Sequence, residues 1–163
     1  MCDYCDCRSH PEIAFLSEDH ERVLTLTAAL RRALAGRDGD SVETLVGGLP
    51  GLLGPHFERE ERGVFERLRG TGIGDEYVDR FDREHDEMER LLAGSSSADT
   101  QRLVILLEDH ILREETDMFP AAHQLLAPTD WDAIDEIVGR APATAGLVRK
   151  PLNPTPLTGA RPV

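Results

Sequence analysis

Apolar residues recur at spacings of three and four along four long stretches of the chain, the periodicity of helices that bury one face. Ile13, Leu16, His20, Val23, Leu24, Thr27, Leu30 and Leu34 form the first stripe. Pro11 suits a first helical position, and Gly36 marks the end. A second helix is expected from an Asp40 or Ser41 cap to about Arg69, with Leu45, Leu49, Leu52, His56, Glu60, Val64 and Leu68 on one face. Gly47, Gly48, Pro50, Gly54 and Pro55 predict a kink or break within it. The third runs from about Asp75 to Ala93, with Val78, Phe81, His85, Met88 and Leu92 inward, and Gly94-Ser95-Ser96-Ser97 reads as a loop. The fourth starts near Asp99, carries Leu103, Leu106, Leu107, His110, Glu114 and Met118 on one side, and is bent or ended by Pro120. A short fifth helix covers Asp130 to Val138, with Thr129 as cap and Asp132 as its acid partner. No stretch reads as a strand. The prediction is an all-α, antiparallel up-down four-helix bundle over residues 11–140. A Cys-rich segment (1–10) precedes it, and a flexible tail containing Pro151, Pro154, Pro156 and Pro162 follows (141–163).

Charge narrows the partners. Thirty-one acids against 18 bases give a net charge of -13, which disfavours nucleic acid and anionic membrane surfaces and suits cations. No apolar run is long enough for a transmembrane helix, and the start Met1-Cys2-Asp3-Tyr4-Cys5 lacks the basic and apolar regions of a signal peptide. Three cysteines within the first seven residues are no disulfide framework for a fold of 163 residues, so a cytoplasmic location is expected.

The four stripes share one anomaly: each contains a histidine. Residues 56–65 (HFEREERGVF) align with 110–119 (HILREETDMF), with His, Arg, Glu, Glu and Phe in common. Upstream of each copy stands another histidine between acids, Asp19-His20-Glu21 and Glu84-His85-Asp86. The chain thus reads as two related halves. His-x-x-x-Glu occurs as His56/Glu60, His85/Glu89 and His110/Glu114, a spacing that puts both side chains on one helix face about a turn apart. A lone inward histidine is ordinarily a satisfied core residue. Four of them with two glutamates are costly to bury without compensation, and a metal supplies it: imidazole and carboxylate suit iron, manganese or zinc. The two halves suggest two metals, each taking histidines mainly from one half, with Glu60 and Glu114 bridging or shared.

His20, His56-Phe57-x-x-Glu60-Glu61, His85-Asp86-Glu87-Met88 and His110-x-x-x-Glu114-Glu115 with Phe119-Pro120 together resemble the hemerythrin-like, or HHE cation-binding, family over roughly residues 10 to 140. The resemblance implies a four-helix bundle holding two iron ions, oxo- or hydroxo-bridged when oxidised. Carried over position by position, it implies His20, His56, Glu60, His85, His110 and Glu114 as ligands. The pattern departs from the oxygen carriers of the family. These use five histidines, whereas Glu89 stands where the second histidine of the third helix would be, and Glu114 and Glu115 compete for the last carboxylate role. A four-His shell with extra carboxylates favours ferric iron, so reaction with peroxide, oxygen or nitric oxide is expected over reversible oxygen carriage. Glu89 reads either as a third-helix ligand beside His85 or as a surface or neighbouring acid, and Glu61 and Glu115 are read as surface residues or as neighbours of the ligands. The same pattern resembles iron–sulfur cluster repair proteins and iron-sensing hemerythrin domains, which keeps an iron, oxygen or redox sensor and an iron donor as alternatives.

Cys2-x-x-Cys5-x-Cys7-x-x-His10 offers four soft or borderline ligands in nine residues. It is consistent with a tetrahedral zinc or iron site, a redox thiol cluster, an iron–sulfur ligand set shared between chains, or a reduced flexible tail. No core position is expected among residues 1–9. His10 and His123 fall outside the repeat, and His123 reads as a polar residue after Pro120.

Overall fold

A 3₁₀ turn at Cys7–Ser9 leads into α1 (Pro11–Gly36), which is followed by α2 (Gly39–Gly48) and α3 (Pro50–Arg59). A wide π-helical turn, Glu60–Phe65, passes into α4 (Glu66–Arg69). Next come α5 (Asp75–Ala93) and α6 (Ser97–Arg113); a second π-helical turn, Glu114–Met118, enters α7 (Phe119–Leu125), and α8 (Pro128–Val138) follows. This computed structural model describes residues 6–94 and 96–138; Cys2, Cys5 and the expected tail after residue 140 lie outside them. Among the described residues every regular element is helical. None of these helices is long and apolar enough to cross a membrane.

The helix ends follow local chemistry. Pro11 opens α1. Asp38, two residues before the expected cap, accepts the Ser41 N–H at 3.1 Å and starts α2 at Gly39. Ser96 accepts the Asp99 N–H at 3.0 Å and caps α6. The Asp99 side chain then fills the space beside Gly94, where a Cβ would stand 2.8 Å from its Oδ2. At α8 the reach-back acid is Asp130, which accepts the Ala127 N–H at 2.9 Å, and Pro128 takes the first helical position; Thr129 and Asp132 lie inside the helix. The proline-rich interruption of the second helix is mild. Leu49 keeps helical angles (φ -63°, ψ -43°), and Pro50 sits in the first turn of α3, where a missing N–H leaves no intrahelical bond unmade.

Packing is organised in two apolar clusters separated by a polar layer. α1 packs on α2 and α6, and α5 packs on α6. One cluster holds Ile13, Leu16, Val64, Phe65, Val78, Phe81, Met118 and Phe119. The other holds Val23, Leu30, Leu53, Phe57, Met88, Leu91, Leu103 and Leu107. On each long helical path a histidine falls near the boundary: His20 between Leu16 and Val23, and His85 between Phe81 and Met88. The stripes were slightly misplaced at their edges. Leu24 is exposed, and Leu52 and Leu92 are half-buried, while their neighbours Leu53 and Leu91 are buried. A period of 3.6 lets either of two adjacent residues take the inward position, and local packing chooses.

The N-terminal segment corrects an expectation. Cys7 is buried in the first cluster with Ile13, Phe119 and Trp131, so a core position does lie among residues 1–9. The turn that carries it packs on α1 and α7.

α1 closes with Arg37 in the left-handed region (φ 54°, ψ 34°), its N–H reaching the carbonyls of Ala33 and Leu34. That conformation costs a residue with a Cβ about 1 kcal/mol and glycine far less. Arg37→Gly is therefore expected to raise the unfolding free energy by about 0.5–1 kcal/mol in urea denaturation, with an unchanged slope.

Candidate metal centre

The six residues His20, His56, Glu60, His85, His110 and Glu114 converge in the polar layer. They form two overlapping groups: His20, His56, Glu60 and Glu114, and Glu60, His85, His110 and Glu114. Within each group one ligand atom per residue lies within 4.8 Å of all the others, and both groups contain the same two carboxylates. All six side chains are between 0% and 2% exposed. Nε2 of His20 and Nε2 of His56 are 3.1 Å apart, as are Nε2 of His85 and Nε2 of His110. Four imidazole edges thus face inward in two pairs, with the glutamates between them.

Glu60 and Glu114 each open a π-helical turn. Such a wide turn inserts an extra residue into the helix, and it often marks functional sites. Here it leaves consecutive acids with different tasks. Glu60 and Glu114 enter the layer, while Glu61 and Glu115 turn to the outer nitrogens of histidines. Glu61 Oε1 is 2.8 Å from His85 Nδ1, and Glu115 Oε1 is 2.9 Å from His20 Nδ1. The sequence left Glu61 and Glu115 either on the surface or beside the inward residues; both contact inward histidines, Glu61 with a side chain 44% exposed and Glu115 buried. Glu89 is exposed and joins neither group.

Two outer acids were missed. Glu84 Oε2 lies 2.8 Å from His110 Nδ1 and 2.7 Å from Arg113. Asp19 Oδ2 lies 3.8 Å from His56 Nδ1 and 3.5 Å from Arg59. Their signal was present in the sequence as the acid preceding His20 and His85, but an acid at that place serves the histidine of the next helix, which only the packing reveals. The pattern obeys the repeat. Glu115 serves His20 as Glu61 serves His85; Asp19 stands by His56 where Glu84 bonds His110, but at 3.8 Å it leaves His56 Nδ1 without a hydrogen bond. Aromatic rings follow the same rule, Phe119 stacking on His20 (5.6 Å between centroids) and Phe65 on His85 (5.4 Å). Phe57 breaks it: it stacks on His85 at 3.8 Å, whereas the aligned position of the second half is Ile111.

The outer acids fix the chemistry of the rings. At His20, His85 and His110 a carboxylate at Nδ1 holds the proton there and leaves the Nε2 lone pair facing the centre. The inner carboxylates are in the opposite situation. Both oxygens of Glu60 and both of Glu114 are buried without a hydrogen-bond partner, although histidine nitrogens stand 3.1 Å away. An ionised carboxylate in that state is destabilising by several kcal/mol unless a cation compensates it. In the metal-free protein the cation is imidazolium. Burial alone would push Glu60 up, but His56, His20 and His85 hold it well below the usual carboxylate range. Burial likewise depresses His85, and Glu60 and Glu61 outweigh it and raise the ring to about 10. His20 is driven the same way, well above its ordinary value, by Glu114, Glu115 and Glu60 against burial. Orphaned carboxylate oxygens, inward Nε2 atoms and imidazole–carboxylate donors together fit a pair of metal ions.

The chain belongs to the hemerythrin HHE cation-binding domain family, which it matches over residues 12–122, more than half its length. No curated protein and no solved structure matches it. Membership in a cation-binding family and the two His/Glu groups agree on metal binding as the property of this layer.

The same groups set the pH response of the chelated protein. His85 rises from 6.5 to about 10, so its contribution to stability is complete below pH 6.5 and lost as pH climbs through about 10. Glu84 and Glu115 are pushed up by burial but drawn down more strongly, from 4.5 to about 2, by His110 and Arg113 and by His20 and Arg8. Their contribution is complete above pH 4.5 and lost as pH falls through about 2. Metal-free protein should therefore melt highest between pH 4.5 and 6.5 and less stably at pH 9, as read by circular dichroism. A melting temperature that rises steadily to pH 9 would contradict the imidazolium–carboxylate layer.

Proposed function

We propose that this chain is a non-haem di-iron protein of the cytoplasm that reacts with peroxide, oxygen or nitric oxide in oxidative or nitrosative stress defence. The single observation that carries the reading is the sharing of Glu60 and Glu114 by two histidine pairs. In it His20 and His56 would hold one iron and His85 and His110 the other, with the Glu60 and Glu114 carboxylates available to both. The helices would form an antiparallel up-and-down four-helix bundle. In support, α1 and α5 carry residues of the Phe65 cluster before those of the Leu53 cluster, while α3 and α6 lead from the Leu53 cluster into turns that hold the Phe65 cluster.

Bound iron would supply two electrons, one from each ion. The protein's own residues restrict and prepare that chemistry. Six donors with at most 2% exposure leave room only for reactants of a few atoms, which supports diatomics and peroxide as partners. Four imidazoles with carboxylates suit iron, and the carboxylates favour its ferric form. Phe57, Phe65 and Phe119 exclude water around the rings of His85 and His20. Protons need a path, and Glu61 offers one: its side chain is 44% exposed while it contacts His85 Nδ1. The corresponding Glu115 is 7% exposed and held by Arg8, which makes the centre asymmetric.

The functional test mixes the anaerobic diferrous protein with hydrogen peroxide, oxygen or nitric oxide under optical and Mössbauer observation. One peroxide should oxidise two ferrous ions, consuming two protons and releasing two waters. Ferrous iron that persists against all three, or that passes to a chelator first, would favour the sensor or iron-donor reading. Among variants, Glu60→Gln and Glu114→Gln remove the bridging charge and are expected to drop iron content well below two per chain by elemental analysis. Glu61→Gln and Glu115→Gln keep a group at Nδ1 and should weaken iron binding only about 10- to 100-fold. Equal losses at Glu60 and Glu61 would place the bridge elsewhere.

A further inference from the structure

The four histidines of the polar layer are not equally supported. Three have a carboxylate in hydrogen-bond contact with Nδ1: His20 with Glu115 at 2.9 Å, His85 with Glu61 at 2.8 Å, and His110 with Glu84 at 2.8 Å. His56 has none. Its Nδ1 is buried without a hydrogen-bond partner, and Asp19, which stands in the repeat where Glu84 does, stays 3.8 Å away. The neighbouring arginines show the same slack. Arg113 lies 2.7 Å from Glu84, whereas Arg59, aligned with it in the repeat, lies 3.5 Å from Asp19. Since His20 and His85 are held alike, the two halves differ at His56 against His110.

Side-chain length explains the gap. Aspartate is one methylene shorter than glutamate, about 1.5 Å of reach, which covers both long contacts. Asp19 is also drawn aside, because its other oxygen, Oδ1, accepts from Arg22 at 2.6 Å. Arg59 lies over the Phe15 ring, 4.9 Å from its centroid, which holds it back from the carboxylate. His85, in the other pair, gains a clamp instead: Phe57 stacks on it at 3.8 Å, where the aligned residue of the second half is Ile111. A carboxylate at the outer nitrogen orients an imidazole and strengthens it as a ligand. Losing one costs about 10- to 100-fold in metal affinity.

We infer that Asp19 is a positioning residue one methylene too short, and that it makes the His20/His56 position the weaker of the two metal positions. The first divalent ion taken up then goes to His85 and His110. The second, at His20 and His56, is the one that leaves to a chelator or exchanges for another divalent ion. Between the two affinities the chain holds a single ion. This inference rests on the two-metal reading proposed above and adds to it an order of loading set by one side chain.

The test is an anaerobic titration of the metal-free full chain with ferrous iron against a competing chelator, repeated with iron-57 under Mössbauer observation. Two nearby cations repel each other, so unequal steps in the wild type are not enough and the variants decide. In the wild type the first equivalent should give one ferrous doublet and the second equivalent a further one. Asp19→Glu should tighten the second step by about tenfold and leave the first within about twofold. Glu84→Asp should weaken the first step by about tenfold and spread the first equivalent over both doublets. Far-ultraviolet circular dichroism shows that each variant is folded, and Glu84→Asp, which adds no bulk, carries the test alone if Asp19→Glu does not fold. If Asp19→Glu tightens the first step more than the second, or if the first equivalent already spreads over both doublets in the wild type, the positions are equal and the inference falls while the two-metal reading stands. A wild-type chain that takes up only a single iron overturns that reading and this inference with it.

Discussion

Two glutamates buried among four imidazoles are the constraint on which this fold turns. Neither Glu60 nor Glu114 has a hydrogen-bond partner for its oxygens, and both are fully enclosed. Charge there must be met by charge, whether imidazolium in the metal-free chain or metal ions in the loaded one. The polar layer also divides the core. The Phe65 and Leu53 clusters lie on either side of it, so the stability of the bundle is tied to how the layer is neutralised.

The surrounding shell keeps the layer in one arrangement. Carboxylates of Glu61, Glu84 and Glu115 approach the outer nitrogens of His85, His110 and His20 at 2.8–2.9 Å, and Arg113 and Arg8 anchor the last two acids. His56 has the loosest partner, Asp19 at 3.8 Å. Crosswise pairing between halves means that no half is complete alone. An acid from one repeat orients a ring of the other at His20 and at His85. That interlocking gives a physical reason for keeping both copies of the motif in one chain.

Much of this was legible in the sequence, because the layer is built on helical periodicity. Pro11, Gly36 and the stripe positions located α1 and α5 at their observed ends, and the stripes turned His20, His56, Glu60, His85, His110 and Glu114 inward, where all six are buried. What periodicity could not give were contacts between helices. Asp19 and Glu84 serve rings on a different helix from their own, and His10 meets His123 across 113 residues. Nor did it foresee the π-helical turns at Glu60 and Glu114, since an inserted residue shifts the phase that a stripe assumes. Cys7 was misread for a related reason: a single buried residue in a short turn has no period to betray it.

The central claim is that two metals share one pair of carboxylates, and magnetic coupling measures that directly. Iron-57 would be added to the metal-free full-length chain without oxygen, oxidised, and examined by Mössbauer and electron paramagnetic resonance spectroscopy. The account predicts two irons per chain in a spin-coupled diferric pair, silent in electron paramagnetic resonance. A single iron per chain, or two uncoupled high-spin ferric ions with full resonance intensity, would contradict it.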